Sequence, residues 1–254
     1  MVNNMFDAKK ETDNIIQFIR DYYKNNNLLG AVIGISGGKD SAVVAGLVSK
    51  AIGAENVVGV TMPCHSLEED REDAKLVADT FGFELINIDL TKTFDSFKNE
   101  IAKFSLEEDK LVDSDINFKP RLRMSTLYYV AAMYSHIKKG TYIVCGTSNK
   151  SELFVGYFTK GGDSVSDLKI ISDLCVSEVI KVGEVIGVPE KVLYKTPSDG
   201  LSNKSDEEKL GVTYFDIEKY INGEEVDSIT KEKIERLHNS SRHKFNIMEY
   251  KKCE

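Results

Sequence analysis

Six consecutive residues, Ser36 to Ser41 (SGGKDS), combine residue types suited to holding a phosphate. Glycines let the backbone approach an anion closely, and free N–H groups at the start of a helix attract negative charge. The stretch departs from the Walker A loop, GxxxxGK followed by Ser or Thr, because Lys39 is followed by Asp40 and Gly34 precedes Gly38 by four residues. It predicts a nucleotide phosphate loop, with a turn that merely joins a strand to a helix as the alternative.

Two later stretches carry further polar chemistry. Residues 146–152 (GTSNKSE) end on Glu152, a carboxylate that could serve Mg²⁺, a cation that prefers oxygen ligands beside nucleotide phosphates. Residues 156–163 (GYFTKGGD) form a glycine-rich stretch with a lysine and an acid. A solvated loop is the alternative explanation for this second stretch.

The elements that must position these residues alternate along the chain. An amphipathic helix is predicted over 10–26, and the polar stretches follow apolar, strand-like runs. This alternation predicts an open, doubly wound α/β fold with a mostly parallel sheet and flanking helices, in which ligands bind beyond the carboxyl ends of the strands. The predicted strands are 29–35, 57–62, 84–90 and 141–146, and the predicted helices between them are 41–52, 67–81, 92–104 and 122–138.

Two regions depart from this alternation of strands and helices. Residues 105–119 contain a run of acids without a sustained apolar period, which predicts a mobile loop or irregular connector. The tail from about 189 contains turn signals and then two short helices, near 213–221 and 230–239. We therefore expect one domain over residues 1–254 with a C-terminal helical portion.

Composition excludes several classes of protein. The chain of 254 residues has a net charge of −8 and a pI near 5.2, which argues against a protein that coats nucleic acid. No apolar run approaches the ~20 residues of a membrane span, and the polar N-terminus lacks a signal peptide, so we expect a cytoplasmic protein. The four cysteines include no CxxC pair, which makes zinc or a disulfide framework unexpected.

The phosphate loop resembles SGGxD[ST] of the N-type ATP pyrophosphatases, which cleave ATP between the α and β phosphates. The order of SGGKDS, NFKPRLRM (117–124), GTSNKSE, GYFTKGGD and DEEKLGVTY (206–214) is similar to that of the NAD synthetase family over roughly residues 10–245. The resemblance implies adenylation of the nicotinate carboxylate of deamido-NAD by ATP, release of pyrophosphate, and displacement of AMP by ammonia. It also implies a homodimer.

The resemblance further implies roles for individual residues. Lys39 and Asp40 would be catalytic, and Asp40 and Glu152 would bind Mg²⁺. The implied ATP contacts are Gly34, Ile35, Ser36, Gly37, Gly38, Lys39, Asp40, Ser41, Thr147 and Ser198. The implied deamido-NAD contacts are Arg123, Lys160, Asp167, His243 and Lys244.

The chain departs from the family pattern at two places. Val176 stands where a lysine is usual, with Lys169 or Lys181 as conceivable substitutes, and residues 162–166 read GDSVS in place of a GDGG pattern. The length leaves no room for a glutaminase domain, so we expect free ammonia as the nitrogen donor. Two alternatives remain open: another adenylating enzyme that forms an amide or a thiol, and a nucleotide-binding module without turnover.

Overall fold

A five-stranded, entirely parallel sheet forms the centre of the molecule. The computed structural model describes residues 6–66, 68–104, 112–196, 205–245 and 250. The strand order is β3-β2-β1-β4-β5, so the chain winds outward from β1 to one edge and then returns to build the other. This order confirms the predicted doubly wound fold. The strands are β1 (Leu28–Gly34), β2 (Val57–Thr61), β3 (Glu84–Asn87), β4 (Thr141–Gly146) and β5 (Leu168–Lys169).

Helices cover both faces of the sheet, as the predicted crossovers require. The first helix is capped by Asp7, whose carboxylate accepts a hydrogen bond from the Lys10 backbone N–H at 3.0 Å. It buries a stripe of residues four apart, Ile15, Ile19 and Tyr23. The helices are α1 (Ala8–Asn25), α2 (Lys39–Ile52), α3 (Glu68–Phe81), α4 (Thr91–Ala102), α5 (Val112–Lys138), α6 (Lys150–Val155), α7 (Val176–Ile186), α8 (Glu190–Leu193), α9 (Asp206–Leu210), α10 (Tyr214–Ile221) and α11 (Ser228–Ser241).

Three apolar clusters hold these layers together. The largest lies between the sheet and helices α1, α2 and α7, and the second lies between the opposite face and α5. Strand β1 is buried from both sides, and Val32 and Ile33 are fully inaccessible to solvent. The third cluster, centred on Ile217 and Ile234, joins α10 and α11 to α6, which fixes the C-terminal helices beside the sheet edge.

Two details of the prediction were wrong. Helix α5 begins at Val112, so residues 112–119 are helical and not an irregular connector; residues 105–111 lie outside the described part of the chain. The Phe118 ring stacks on Phe97 with a centroid distance of 4.1 Å, a contact between elements that composition does not reveal. The short strand β5 was not predicted, because two residues are too few for any apolar period.

The two short C-terminal helices were expected, and α10 and α11 confirm them. Within the ranges described above, no helix combines the length and the apolar character needed to cross a bilayer.

Candidate active site

One cavity of about 430 Å³ lies beyond the carboxyl ends of β1 and β4. These two strands are neighbours at the point where the strand order reverses, which is where open α/β sheets bind their ligands. The volume falls within the range of sites for small molecules. Residues 34–41, the whole predicted phosphate loop, line this cavity together with Thr147 and Glu152 from the loop and helix that follow β4. The fold therefore joins the two motifs that are about 110 residues apart in sequence.

The phosphate loop is held in shape by its own serines. The Ser36 and Ser41 hydroxyls lie 3.1 Å apart, and the Ser41 hydroxyl donates to the Gly38 carbonyl at 3.0 Å. Gly38 precedes the first turn of α2, so the free N–H groups of that helix open toward the cavity. Gly37 has a φ of +82°, and a Cβ atom there would lie 2.6 Å from the Asp70 carbonyl oxygen. Only glycine fits this turn against the first turn of α3.

Two carboxylates converge on the floor of the cavity. The Asp40 carboxylate accepts a hydrogen bond from the Asn149 amide at 3.1 Å and lies 3.4 Å from the Lys39 ammonium. Glu152 closes a capping box with Asn149 at the start of α6. Burial, and then the negative charge of Asp40, raise the pKa of Glu152 well above its ordinary value. Two like charges that are close together and largely withdrawn from solvent are costly unless a cation joins them.

The carboxylate pair fits Mg²⁺. This ion usually takes one or two protein carboxylates and completes its shell with water and phosphate oxygens. In the described ranges, no group of three or more His, Cys, Asp or Glu side chains forms a cage of its own for a metal ion. Asp40 and Glu152 are therefore the residues that could hold a cation brought in with a nucleotide.

Arg123 and Asp163 line the wall between the phosphate loop and the loop after α6. The Arg123 guanidinium donates to the Met62 carbonyl at 3.3 Å, which fixes its stem against the loop after β2. The Asp163 carboxylate accepts the Thr159 N–H at 2.8 Å, and desolvation of this carboxylate by the surrounding protein raises its pKa. The glycine-rich stretch 156–163 was recognised from sequence, but Asp163 was not singled out within it.

Apart from Arg123, the predicted deamido-NAD contacts do not belong to the cavity lining. The Lys160 ammonium donates to the His243 carbonyl at 2.8 Å, and the Lys244 ammonium donates to the carbonyls of Gly156 and Phe158 at 2.7 Å each. These bonds bring the 156–163 loop and the C-terminal pair together, and the contacts of these residues with deamido-NAD stay a prediction.

Asp167 also lies outside the lining, at the edge of the sheet. Its carboxylate accepts hydrogen bonds from the Tyr128 hydroxyl at 3.1 Å and the Val144 N–H at 2.8 Å. These bonds tie β4 to α5 through the start of β5. In this arrangement Asp167 supports the sheet edge.

The residue at position 176 does not face the cavity. Val176 is 8% exposed and packs in the C-terminal apolar cluster. Neither lysine considered as its substitute lines the cavity: Lys169 is exposed at the end of β5, and the Lys181 ammonium lies 6.0 Å from the centre of the Phe6 ring. Ser198 lies outside the described residues. A different lysine, Lys195, lines the cavity and was not predicted.

Comparison with known proteins agrees with this geometry. The family model described as NAD synthase matches residues 11–251. The NH₃-dependent NAD⁺ synthetase of Carboxydothermus hydrogenoformans is 37% identical over 243 residues, which are 95% of this chain and 96% of that protein. Among solved structures, the NMN synthetase of Francisella tularensis superposes with a TM-score of 0.86 and 31% identity, covering 97% of this chain and 99% of that one. The NH₃-dependent NAD synthetase of Campylobacter jejuni superposes with a TM-score of 0.76 and 30% identity, covering 97% and 100%.

Proposed function

The chain belongs to the NAD synthase family, and from this premise we propose how its cavity divides the reaction among the residues described above. The protein is a ligase that amidates deamido-NAD with ammonia and ATP, giving NAD, AMP and pyrophosphate. The observation that carries the assignment of roles is the meeting of the phosphate loop, the Asp40–Glu152 pair and Arg123 in one cavity.

The first step activates the acceptor. A carboxylate resists attack by ammonia because oxide is a poor leaving group, so the nicotinate oxygen first attacks the α-phosphorus of ATP and the bond to the β-phosphate oxygen breaks. We assign the departing pyrophosphate to the amides and hydroxyls of 36–41, and its charge to Lys39. Mg²⁺ held by Asp40 and Glu152 would neutralise charge on the phosphate oxygens.

The second step forms the amide. Ammonia attacks the acyl carbon, the bond to the AMP oxygen breaks, and the attacking nitrogen gives up a proton. We assign this proton to Asp163, because its carboxylate lines the cavity beside the place where the acyl group must lie. Arg123 is assigned to the acceptor, since a guanidinium pairs well with a carboxylate or phosphate.

We propose that the remaining predicted contacts bind the deamido-NAD acceptor once two chains have assembled into a homodimer. Lys160, His243 and Lys244 flank the cavity on one chain, so a dinucleotide that reached them would extend along the molecular surface. Helix α5 offers an interface: Tyr129, Met133 and Ile137 are spaced four apart and are 75%, 39% and 60% exposed. Met133→Glu should convert the dimer to a monomer in analytical ultracentrifugation. A Met133→Glu protein that sediments as the wild type does would remove α5 from the proposal.

A smaller acceptor is the second candidate. The NMN synthetase from Francisella tularensis superposes with the higher TM-score of the two structures compared above, 0.86 against 0.76. Nicotinate mononucleotide has the same reacting carboxylate but lacks the adenylate half, and four of the five predicted acceptor contacts lie outside the cavity. Comparing kcat/KM for deamido-NAD and for nicotinate mononucleotide ranks the two acceptors directly.

The assignment is tested by measuring pyrophosphate release with ATP, Mg²⁺, deamido-NAD and either ammonium or glutamine. We expect turnover to NAD with ammonium and none with glutamine alone. Asp40→Ala should abolish pyrophosphate release while the thermal unfolding midpoint stays near the wild-type value. Asp79→Ala, which removes a carboxylate paired with Lys75 on the surface of α3, is the matched control and should leave turnover unchanged. Wild-type release from Asp40→Ala would refute the metal role. We also propose that the protein works in the cytoplasm.

A further inference from the structure

Lys195 stands in the cavity wall as the centre of a small ion network. Its ammonium lies 2.9 Å from the Asp70 carboxylate and 2.6 Å from the Asp73 carboxylate. Asp73 is fully buried and is also paired with Lys191 at 2.7 Å, on its other oxygen. Lys195 and Asp70 line the cavity, whereas Lys191 and Asp73 do not. The network therefore has a buried half, Asp73 with Lys191, and a half that lines the cavity, Asp70 with Lys195.

Without Lys195, the buried half would lose the hydrogen bond to Asp73 Oδ2 and keep the ion pair between Lys191 and Asp73 Oδ1. A buried carboxylate needs a cationic partner, and Lys191 supplies one whose own side chain is 54% exposed. The Lys195 side chain is 25% exposed, so its ammonium has access both to the network and to the cavity. Asp73 carries one negative charge and is paired with two ammonium groups, those of Lys191 and Lys195. The second is held by Asp70, a carboxylate that is itself partly exposed.

The cavity half adjoins the phosphate loop. The Asp70 carbonyl oxygen touches Gly37 so closely that a Cβ there would lie 2.6 Å away, and the Asp70 carboxylate holds Lys195. Lys39, the loop's own lysine, lies 3.4 Å from the Asp40 carboxylate and 6.0 Å from the Tyr214 ring centre, on the side of the carboxylate pair. Among the described residues, the lysines that line the cavity are Lys39 and Lys195. Lys39 is paired with Asp40, whereas Lys195 is paired with Asp70 and Asp73, on the α3 side.

We propose that Lys195 is a phosphate-binding residue of this cavity: when ATP binds, its ammonium exchanges Asp70 for the β- or γ-phosphate, while Lys191 keeps Asp73 neutralised. The inference rests on the proposed function in one respect, that the ligand of the loop is ATP. It adds a cation on the α3 side of the loop, opposite Asp40 and Glu152, so that the triphosphate is held between two walls.

The test compares two lysines that share Asp73. Lys195→Met should weaken ATP and pyrophosphate binding by roughly 10- to 100-fold in isothermal titration calorimetry, the loss typical of one hydrogen bond to a charged group, and should leave AMP binding unchanged. Lys191→Met, the matched control, should leave all three affinities within about threefold. Lys195→Arg keeps the charge and should retain most of the ATP affinity, which guards against a folding defect in Lys195→Met. Equal losses in Lys191→Met and Lys195→Met would reduce Lys195 to a structural partner of Asp73 and overturn the proposal.

A double variant distinguishes direct contact between Lys195 and phosphate from mere neutralisation of the Asp70 charge by Lys195. If Lys195 only masks Asp70, then adding Asp70→Asn to Lys195→Met should restore ATP affinity, because the repelling carboxylate is gone. If Lys195 contacts phosphate, the affinity should stay low in the double variant, and Asp70→Asn alone should bind ATP as tightly as the wild type or more tightly. Full rescue would overturn the proposal. Because ATP binding is measured without an acceptor, a wrong acceptor assignment would not change these results.

Discussion

The tightest steric constraint in the phosphate loop is Gly37, and its replacement by alanine separates backbone strain from ligand contact. In Gly37→Ala the methyl group meets the Asp70 carbonyl at 2.6 Å and its Cα at 3.0 Å, and both are backbone atoms that cannot rotate away. The positive φ of +82° adds strain for any residue with a Cβ. Relief requires the loop and the first turn of α3 to move apart.

The expected magnitudes follow from two reference glycines. Gly187 has a similar φ of +85°, and a methyl group there would have nothing within 4 Å, so Gly187→Ala carries the strain alone and should cost about 1 kcal/mol. Gly37→Ala adds overpacking of about 1–3 kcal/mol, which gives a loss of about 2–4 kcal/mol. Gly38→Ala has neither penalty, since its methyl would lie 3.4 Å from the Ser36 hydroxyl, and should cost less than about 1 kcal/mol.

Urea unfolding and ATP calorimetry on the three variants check this order. Gly187→Ala should bind ATP normally, and Gly37→Ala should lose both stability and ATP affinity. Gly38→Ala should keep its stability and lose ATP affinity, because its methyl group occupies space that a phosphate would approach. Gly38→Ala with wild-type ATP affinity would refute a close approach of phosphate to this backbone, and Gly37→Ala with wild-type stability would refute the contact with α3.

Three further predictions concern single side chains. Glu152→Gln should raise the thermal midpoint of the unliganded protein, and the gain should grow as the pH rises above 4.5, because a carboxyl whose pKa is raised by folding costs stability once it ionises; a gain that shrinks with rising pH would contradict this. Val176→Lys should lower the unfolding free energy by more than about 2 kcal/mol without improving the KM for ATP, since it buries an ammonium among apolar side chains; a stable variant with a lower KM would be the opposite result. Asp167→Asn should lower the unfolding free energy by about 1 kcal/mol in urea titrations, because the Val144 N–H and the Tyr128 hydroxyl lose a charged acceptor; unchanged stability with a raised acceptor KM would instead favour direct contact with the dinucleotide.

Most of the fold could be predicted because its signals are local. Four of the five strands are apolar runs, and the polar loop 36–41 follows β1 where a helix N-terminus must begin. The helical start of α5 could not be predicted, since residues 112–119 contain acids and precede Pro120, and their helix is supported by the stacking of Phe118 on Phe97. Contacts between elements override local composition there.

The site was predictable where motif and strand end coincide, and less so elsewhere. The phosphate loop and Glu152 line one cavity because β1 and β4 are neighbours in the sheet. Lys195 could not be identified from a sequence pattern, because the contacts that distinguish it are with Asp70 and Asp73, more than 120 residues away in sequence. Asp163 was within a recognised stretch, and its place in the cavity lining, which a sequence pattern does not show, distinguishes it from the nearby Asp167.

The lysine bonds between the C-terminal turn and the 156–163 loop have a consequence for the order in which the molecule is assembled. Lys244 is bonded to the Gly156 and Phe158 carbonyls, residues 88 and 86 positions earlier, and His243 receives a bond from Lys160. During synthesis, all five strands leave the ribosome before residues 242–244 exist. The sheet and its phosphate loop can therefore form early, while the wall that carries Asp163 gains these supports only after residues 242–244 have been made.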